Sequence, residues 1–210
     1  MINVIITDDH PIVRTGLKQI LDECNDIDII DEASSGDELL RMLAETNYDV
    51  LLLDISMPDR HGLDLLKEIK GSWKDLAVLI LSVYSEEQYA IRALKLGASG
   101  YLSKSSAPEE LISAIRKVAT GGKYITGSLA EKIADSYTEN EETALHHTLS
   151  TRELEVLCLL AEGKTVTHIS RELSLSIKTI STYRERILLK LNLKTTSDLI
   201  RYAISEGLVV

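Results

Sequence analysis

Up to about residue 120 the chain alternates between two hydrophobic periods; beyond that it keeps only one. Five short apolar runs stand out: INVIIT (2–7), IDIID (27–31), DVLLLD (49–54), LAVLILS (76–82) and SGYL (99–102). Three of them are continuously apolar rather than alternating, which predicts strands buried on both faces. The stretches between them are long enough for right-handed crossover helices. Ile12, Val13, Leu17, Ile20 and Leu21 make one helical stripe, and Leu111, Ile112, Ile115 and Val118 make another. Ser106 with Glu109 predicts a capping box opening the second of these, with Pro108 inside its first turn. The pattern predicts a (βα)5 doubly wound α/β domain over 1–120.

From Gly121 the alternation stops. SLAEKIADSY (128–137) reads as a short helix and ENEETALHHT (139–148) as a polar stretch, so 121–147 is expected to be a linker containing that helix. LSTRE then restarts order. Ser150 and Glu153 predict a capping box, with Leu149 and Leu154 at the staple positions. No strand-like run follows. Four helices over 151–162, 166–172, 177–191 and 196–206 predict a small all-α domain over 148–210.

Charge sharpens this division. Residues 1–120 carry 12 Lys/Arg against 21 Asp/Glu, 121–148 carry 2 against 5, and 149–210 carry 9 against 7, making up the net −10 of the 210-residue chain. An acidic front and a mildly basic tail point to two jobs, with any polyanionic partner at the tail. No apolar run reaches the ~18 residues of a membrane span and no signal-peptide layout is present, so a cytoplasmic protein without a membrane partner is expected. Cys24 and Cys158 lie in separate halves without metal-ligand spacing and read as small buried hydrophobes.

The candidate chemistry lies at the strand ends. The first strand ends in Asp8 and Asp9, the third in Asp54 and the fourth in Ser82, and Lys104 lies two residues past the fifth. With the first strand in the middle of the sheet beside the third, these groups converge on the edge where open parallel sheets bind ligands. Carboxylates held close repel one another unless a cation intervenes, and hard oxygen ligands suit Mg²⁺. A carboxylate can itself attack a phosphoryl group. The set reads as a site for an aspartyl phosphate assembled with Mg²⁺.

DDHP (8–11), LLLDISMPDRHG (51–62), LS (81–82) and GYLSK (100–104) resemble the receiver domain of bacterial two-component response regulators. The resemblance implies the flavodoxin-like strand order 2-1-3-4-5, with Asp54 accepting phosphate from a partner histidine kinase. It also implies Mg²⁺ held by Asp9, Asp54 and the backbone carbonyl of Ser56, with Asp8 acting through water. Lys104 would contact the phosphoryl oxygens, Ser82 would shift toward them, and Tyr101 would act as the switch aromatic. Ser56 and Tyr84 stand where the family tunes phosphate lifetime. Ser105 replaces the proline that many receivers carry after the lysine, so the cis bond of those receivers is not carried over. His10 and His61 read as loop residues beside the site.

In the tail, TVTHISRELSLSIKTISTYRERILLKL (165–191) holds two helical patterns around a short turn, with Ser176 capping the second. Ile180, Ile187 and Leu191 form its apolar stripe, and residues 176–196 carry five Lys/Arg against one Glu. A helix-turn-helix places its second helix in the major groove. Ser181, Thr182 and Glu185 are the candidate base readers. Lys178, Tyr183, Arg184, Arg186 and Lys190 are the candidate phosphate contacts, and Thr179 belongs to the same DNA-facing set. Arg184 falls on the nominal core stripe, so either it snorkels to a phosphate or the helix is rotated. LSTRELEVLCLLAEGKT and the segment 169–191 resemble the DNA-binding domain of the NarL/FixJ (LuxR-type) regulators.

Together the two resemblances imply a regulator of transcription, not an enzyme beyond Mg²⁺-dependent self-phosphorylation and autodephosphorylation. Its partners would be a histidine kinase, double-stranded promoter DNA, a second copy of itself on activation and RNA polymerase. Phosphorylation would either loosen the hold of the receiver on the tail or promote pairing of two chains. The last helix, with Leu199, Ile200, Ala203 and Ile204, either contributes to that pairing or closes the small core. A phosphohydrolase of the haloacid-dehalogenase type would place Asp-x-Asp after the first strand, whereas here the pair is adjacent. A nucleotide-binding protein would show a P-loop or GxGxxG spacing, and neither occurs. A regulator whose receiver never meets phosphate is the third alternative.

Overall fold

A computed structural model describes residues 1–57, 60–83, 86–127, 129–131 and 145–209. The chain divides into two compact units, Met1–Ala134 and Asp135–Val210. Most of the helix expected over 128–137 and of the polar stretch 139–148 lies outside the described residues, as does Tyr84. No helix among the described residues is long and apolar enough to cross a membrane.

The first unit alternates β1 (Ile2–Thr7), α1 (Pro11–Leu21), β2 (Ile27–Ala33), α2 (Gly36–Glu45), β3 (Val50–Asp54), α3 (Gly62–Ser72), β4 (Ala77–Ser82), α4 (Glu86–Lys95), β5 (Gly100–Ser103) and α5 (Pro108–Ala119). The strands form one parallel sheet in the order β2-β1-β3-β4-β5. Val50 to Leu53 are all fully buried, because β3 lies in the centre with helices on both faces. Alternate residues (Val4, Ile6, Leu52, Leu79, Leu102) meet Leu111, Ala114, Ile115 and Val118 of α5 in one core cluster. Burying each such aliphatic side chain contributes about 1.5–3 kcal/mol. This is why a central strand carries an unbroken apolar run. The edge strand β2 keeps Asp28 and Ile30 exposed and runs two residues beyond its expected end, because Glu32 and Ala33 still pair with Ile6 and Thr7.

Local expectations needed correction at four places. Ile12 is 82% exposed, so the α1 stripe is narrower than its spacing suggests; only Leu21 is fully buried, with Val13, Leu17 and Ile20 half-buried. The capping box at Ser106 does not form. Ala107 is the N-cap of α5 and Pro108 its first residue, while Ser106 donates its backbone N–H to Ser103 in the preceding turn. Cys24, expected to be buried, is only half-buried, in the turn after α1. Finally, the chain beyond Gly121 holds to the edge of β5. Tyr124 donates to the Ser99 carbonyl at 2.8 Å and bridges Gly100, and Lys123 Nζ reaches the Ala98 carbonyl at 2.6 Å. Gly100 permits this, since a Cβ there would lie 2.8 Å from the Tyr124 carbonyl oxygen.

Among the described residues the second unit holds a 3-10 turn at Leu145–Thr148, followed by α6 (Thr151–Ala161), α7 (Val166–Glu172), α8 (Ile177–Lys190) and α9 (Thr196–Ser205). Both α8 and α9 pack on α6, and α7 packs on α8. The Ser150–Glu153 capping box forms as expected, and Leu149 and Leu154 are both buried. Ile180, Ile187 and Leu191 are the buried stripe of α8. Leu199 and Ala203 of α9 enter the core, whereas Ile204 is 57% exposed.

Candidate functional site

Strand register brings the acid groups together. Thr7 of β1 pairs with Leu53 of β3, so Asp8 and Asp54 follow side by side at the carboxyl ends of the two central strands. Both are 1% exposed. Asp8, Asp9, His10 and Asp54 each offer a ligand atom, and these atoms all lie within 4.8 Å of one another. On the other side Ser82 closes β4, paired with Ser103, so Lys104 emerges just past β5 and donates its backbone N–H to the Ser82 carbonyl. Its Nζ stands 2.6 Å from Asp8 Oδ2 and 2.8 Å from Asp54 Oδ2.

This arrangement is electrostatically expensive. Burial pushes the Asp54 carboxyl above the ordinary carboxylate value; Lys104 offsets part of this and the Asp8 charge adds to it. Burial works against the charge of Lys104 too, but the two carboxylates, Asp54 foremost, outweigh it and hold the ammonium above the usual lysine value. Asp8 Oδ2, Asp9 Oδ1 and Asp54 Oδ2 are all buried; one ammonium, Lys104 Nζ, serves both Asp8 and Asp54, and His10 Nδ1 lies against Asp9. Three buried carboxylate oxygens on one small patch fit a hard divalent cation such as Mg²⁺.

The loop after Asp54 is shaped by close backbone approach. Ser56 donates its N–H to Asp54 Oδ1 at 3.1 Å, and Gly62 donates to the Ile55 carbonyl at 2.8 Å. A Cβ on Gly62 would lie 2.3 Å from the Asp54 carbonyl oxygen, so only glycine lets α3 start this close to the end of β3. His61 is buried at the N-cap of α3, with Nδ1 accepting from the Leu63 N–H at 3.2 Å. Its ring centroid lies 6.3 Å from that of Tyr89 on α4. It is therefore a structural part of the loop and not merely a neighbour of the site. Ser82 and Tyr101 are both fully buried.

Two further residues reach the acid turn. His10 Nδ1 lies 2.8 Å from Asp9 and 3.2 Å from Asp8, while its backbone N–H donates to Asp8 Oδ1 at 2.8 Å. Arg14 Nη1 donates to the Asp8 carbonyl at 2.6 Å. Arg14 was not singled out from the sequence; its one signal was its place one helical turn past His10.

In the second unit, α7 and α8 are joined through Ser174, which adopts a left-handed φ of 52°. Ser176 caps α8, its Oγ accepting from the Thr179 N–H at 3.0 Å. Ser176, Lys178, Thr179, Thr182, Tyr183 and Arg186 line one surface depression of about 270 Å³. Lys178, Thr182, Glu185 and Arg186 are exposed, and Ser181 and Tyr183 half-buried. Thr182 donates its hydroxyl to the Lys178 carbonyl at 3.0 Å. Arg184 is half-buried with a buried Nε that has no hydrogen-bond partner. Lys190 stands apart. Its Nζ is bound to Glu153 Oε2 at 2.6 Å and to the Thr148 carbonyl at 3.3 Å, tying the end of α8 to the start of α6.

A parallel sheet with an acid cluster and a lysine at its carboxyl edge, followed by a capped helix-turn-helix, is the layout of a response regulator that carries its own DNA-binding domain. Residues 4–116 match the response regulator receiver domain, and residues 147–203 match the bacterial regulatory proteins of the luxR family. The chain belongs to the response regulators that join a receiver to a LuxR-type DNA-binding domain. It is 39% identical to the response regulator UvrY of Escherichia coli K12, covering 99% of this chain and 96% of that one. It is 36% identical to the oxygen regulatory protein NreC of Staphylococcus carnosus, covering 98% of each. Among solved structures it is similar to RcsB from Salmonella enterica serovar Typhimurium bound to promoter rprA in the presence of phosphomimetic BeF3−. That likeness has a TM-score of 0.64 and 29% identity over 96% of this chain and 97% of that one. It is also similar to a structure of two RcsB dimers bound to two parallel DNAs, with a TM-score of 0.61 and 31% identity over 97% of this chain and 98% of that one.

Proposed function

We propose that Asp54 is the phosphoacceptor of a two-component pathway and that its phosphorylation controls promoter binding by α8. The observation that carries this is the buried Asp54 carboxylate at the end of the central strand, with Lys104 at 2.8 Å and the Asp8–Asp9 turn beside it. An Asp54 carboxylate oxygen forms a bond to phosphorus as the phosphorus–nitrogen bond of a kinase phosphohistidine breaks. Asp8, Asp9, Asp54 and the Ser56 carbonyl would hold Mg²⁺, which when bound supplies positive charge to the phosphoryl oxygens. Lys104 exchanges its ion pair with Asp54 for one with the new phosphoryl group. Ser82 and Tyr101, on the two strands beyond Asp54, sense that change and alter the α4–β5–α5 face. Apart from self-phosphorylation by a phosphodonor and autodephosphorylation, the chain turns nothing over.

In the tail, Ser181, Thr182 and Glu185 read bases, while Lys178, Thr179, Tyr183, Arg184 and Arg186 meet phosphates. Lys190 reaches a phosphate only by leaving Glu153. RcsB forms dimers on DNA, and the same assembly is proposed for this chain on activation, with RNA polymerase as the further partner at a cytoplasmic promoter. The test is incubation with Mg²⁺ and acetyl phosphate, followed by intact mass for wild type and Asp54→Ala. A phosphate-sized gain in wild type alone, with tighter binding to promoter DNA, is expected. Equal gains in both proteins would place the acceptor elsewhere. A phosphorylated protein that stays monomeric on DNA at every concentration would remove the dimer step.

A further inference from the structure

The acid turn is held from outside by a side chain that the phosphoryl chemistry does not use. The ladder between β1 and β3 ends at Thr7; beyond it the Asp8 N–H still donates to the Ala33 carbonyl at 3.2 Å, and its carbonyl is left to a side chain. From α1, Arg14 donates Nη1 to the Asp8 carbonyl at 2.6 Å and Nε to Glu32 Oε2 on β2 at 3.2 Å. Lys18 pairs with the other oxygen of Glu32. The Arg14 side chain is only 16% exposed and that of Glu32 29%. The hydrogen bond from Lys18, supported by Arg14, keeps the Glu32 carboxyl below its ordinary value despite partial burial, so the carboxylate is charged at neutral pH.

We propose that Arg14 is a positioning residue: it pins the Asp8 carbonyl so that the Asp8 and Asp9 carboxylates converge on one point, while Glu32, shared with Lys18, orients the guanidinium and offsets part of the positive charge. The chemistry explains the residue types. A planar guanidinium directs two N–H groups at fixed angles, and can hold a carbonyl and a carboxylate at once; an ammonium cannot do so with the same geometry. An uncompensated cation this close to the acid turn would repel a divalent metal, so Glu32 is needed for charge as well as for orientation. The proposal rests on the reading of the acid cluster as a Mg²⁺ site.

The experiment measures divalent metal affinity of the full chain, using Mn²⁺ by electron paramagnetic resonance and Mg²⁺ by competition. Thermal unfolding without metal is followed alongside. Groups that orient metal ligands from behind typically account for 10–100-fold in affinity, so Arg14→Met should weaken Mg²⁺ binding about tenfold or more. Arg14→Lys should recover part of that, and Glu32→Gln should also weaken binding. The double variant Arg14→Met/Glu32→Gln should be no weaker than Arg14→Met alone, because the two act as one unit. Metal affinity within twofold of wild type in Arg14→Met, with only the metal-free melting temperature lowered, would make the contact merely structural and overturn the proposal. Additive losses in the double variant would overturn the role given to Glu32. If Arg14→Met does not fold, Arg14→Lys decides by the same comparison. Wild type binding no metal is a separate failure, since it removes the reading of the acid cluster itself.

Discussion

Replacing Gly62 by alanine tests whether close backbone approach defines the loop after Asp54. The added Cβ would meet the Asp54 carbonyl oxygen at 2.3 Å and Ile55 Cα at 2.7 Å, where ordinary contact begins near 3.4 Å. Both obstacles are backbone, so α3 and the end of β3 must separate by about 1 Å, set by the shortfall at the carbonyl oxygen. Overpacking of this kind costs about 1–3 kcal/mol, and alanine in a helix returns about 0.5–1 kcal/mol of that. The net expectation is a loss of roughly 1 kcal/mol in the first unit. Displacing a reacting group by ~1 Å can cost about 10²-fold in rate, so phosphoryl uptake from acetyl phosphate should fall by about that factor. Gly71→Ala, in the same helix with nothing within 4 Å of the new Cβ, should instead leave uptake unchanged and stabilise by about 0.5–1 kcal/mol. Trp73, the single tryptophan of the chain, caps the C-terminus of α3, so its fluorescence in urea follows this unit. A Gly62→Ala protein as stable as wild type, and phosphorylated at the wild-type rate, would refute the reasoning.

Three further outcomes are expected. Because burial raises the Asp54 carboxyl, the native state loses stability as pH rises from the ordinary value of 3.8 through the raised one. Asp54→Asn should therefore gain on wild type over that window in metal-free buffer, and parallel pH curves from urea unfolding would contradict the cause assigned. Glu153 is held below its ordinary value: burial opposes its charge, but Lys190 and Ser150 prevail, so its contribution is present above pH 4.5 and lost as pH falls through the lowered value. Lys190→Met should cost the second unit about 1–2 kcal/mol at neutral pH, less than a fully buried pair because Lys190 is 39% exposed, and should flatten the acid limb of its melting curve. Lys178→Ala and Arg186→Ala should each weaken DNA binding at every sequence tested and reduce the slope of log affinity against log salt by about 1, whereas an unchanged slope would take the residue off the phosphate path.

The periods, caps and turns of this chain are set by residues a few positions apart, and these were legible without coordinates. The unbroken apolar run of Val50 to Leu53, the Ser150–Glu153 box and the Ser176 cap each follow from side chains competing for nearby backbone groups or for burial on both faces. Asp54 could be placed at a strand end for the same reason. Other features depended on elements far apart in sequence. Ile12 has the spacing of a core residue yet stays exposed, because the way α1 meets the sheet depends on its neighbours and not on its own period. Ser106 had the pattern of a cap but was taken by the preceding turn. Lys190 reads from its spacing as a phosphate contact, and only the fold adds a competing partner, Glu153 on α6 at 2.6 Å. The sequence by itself determined that acid groups end the strands and that a basic helix follows. Only tertiary structure decided that Asp8 stands beside Asp54, that Lys104 spans them, and that Arg14 and Glu32 hold the acid turn. Strand order and side-chain partners arise from burial between distant segments, which no local spacing encodes.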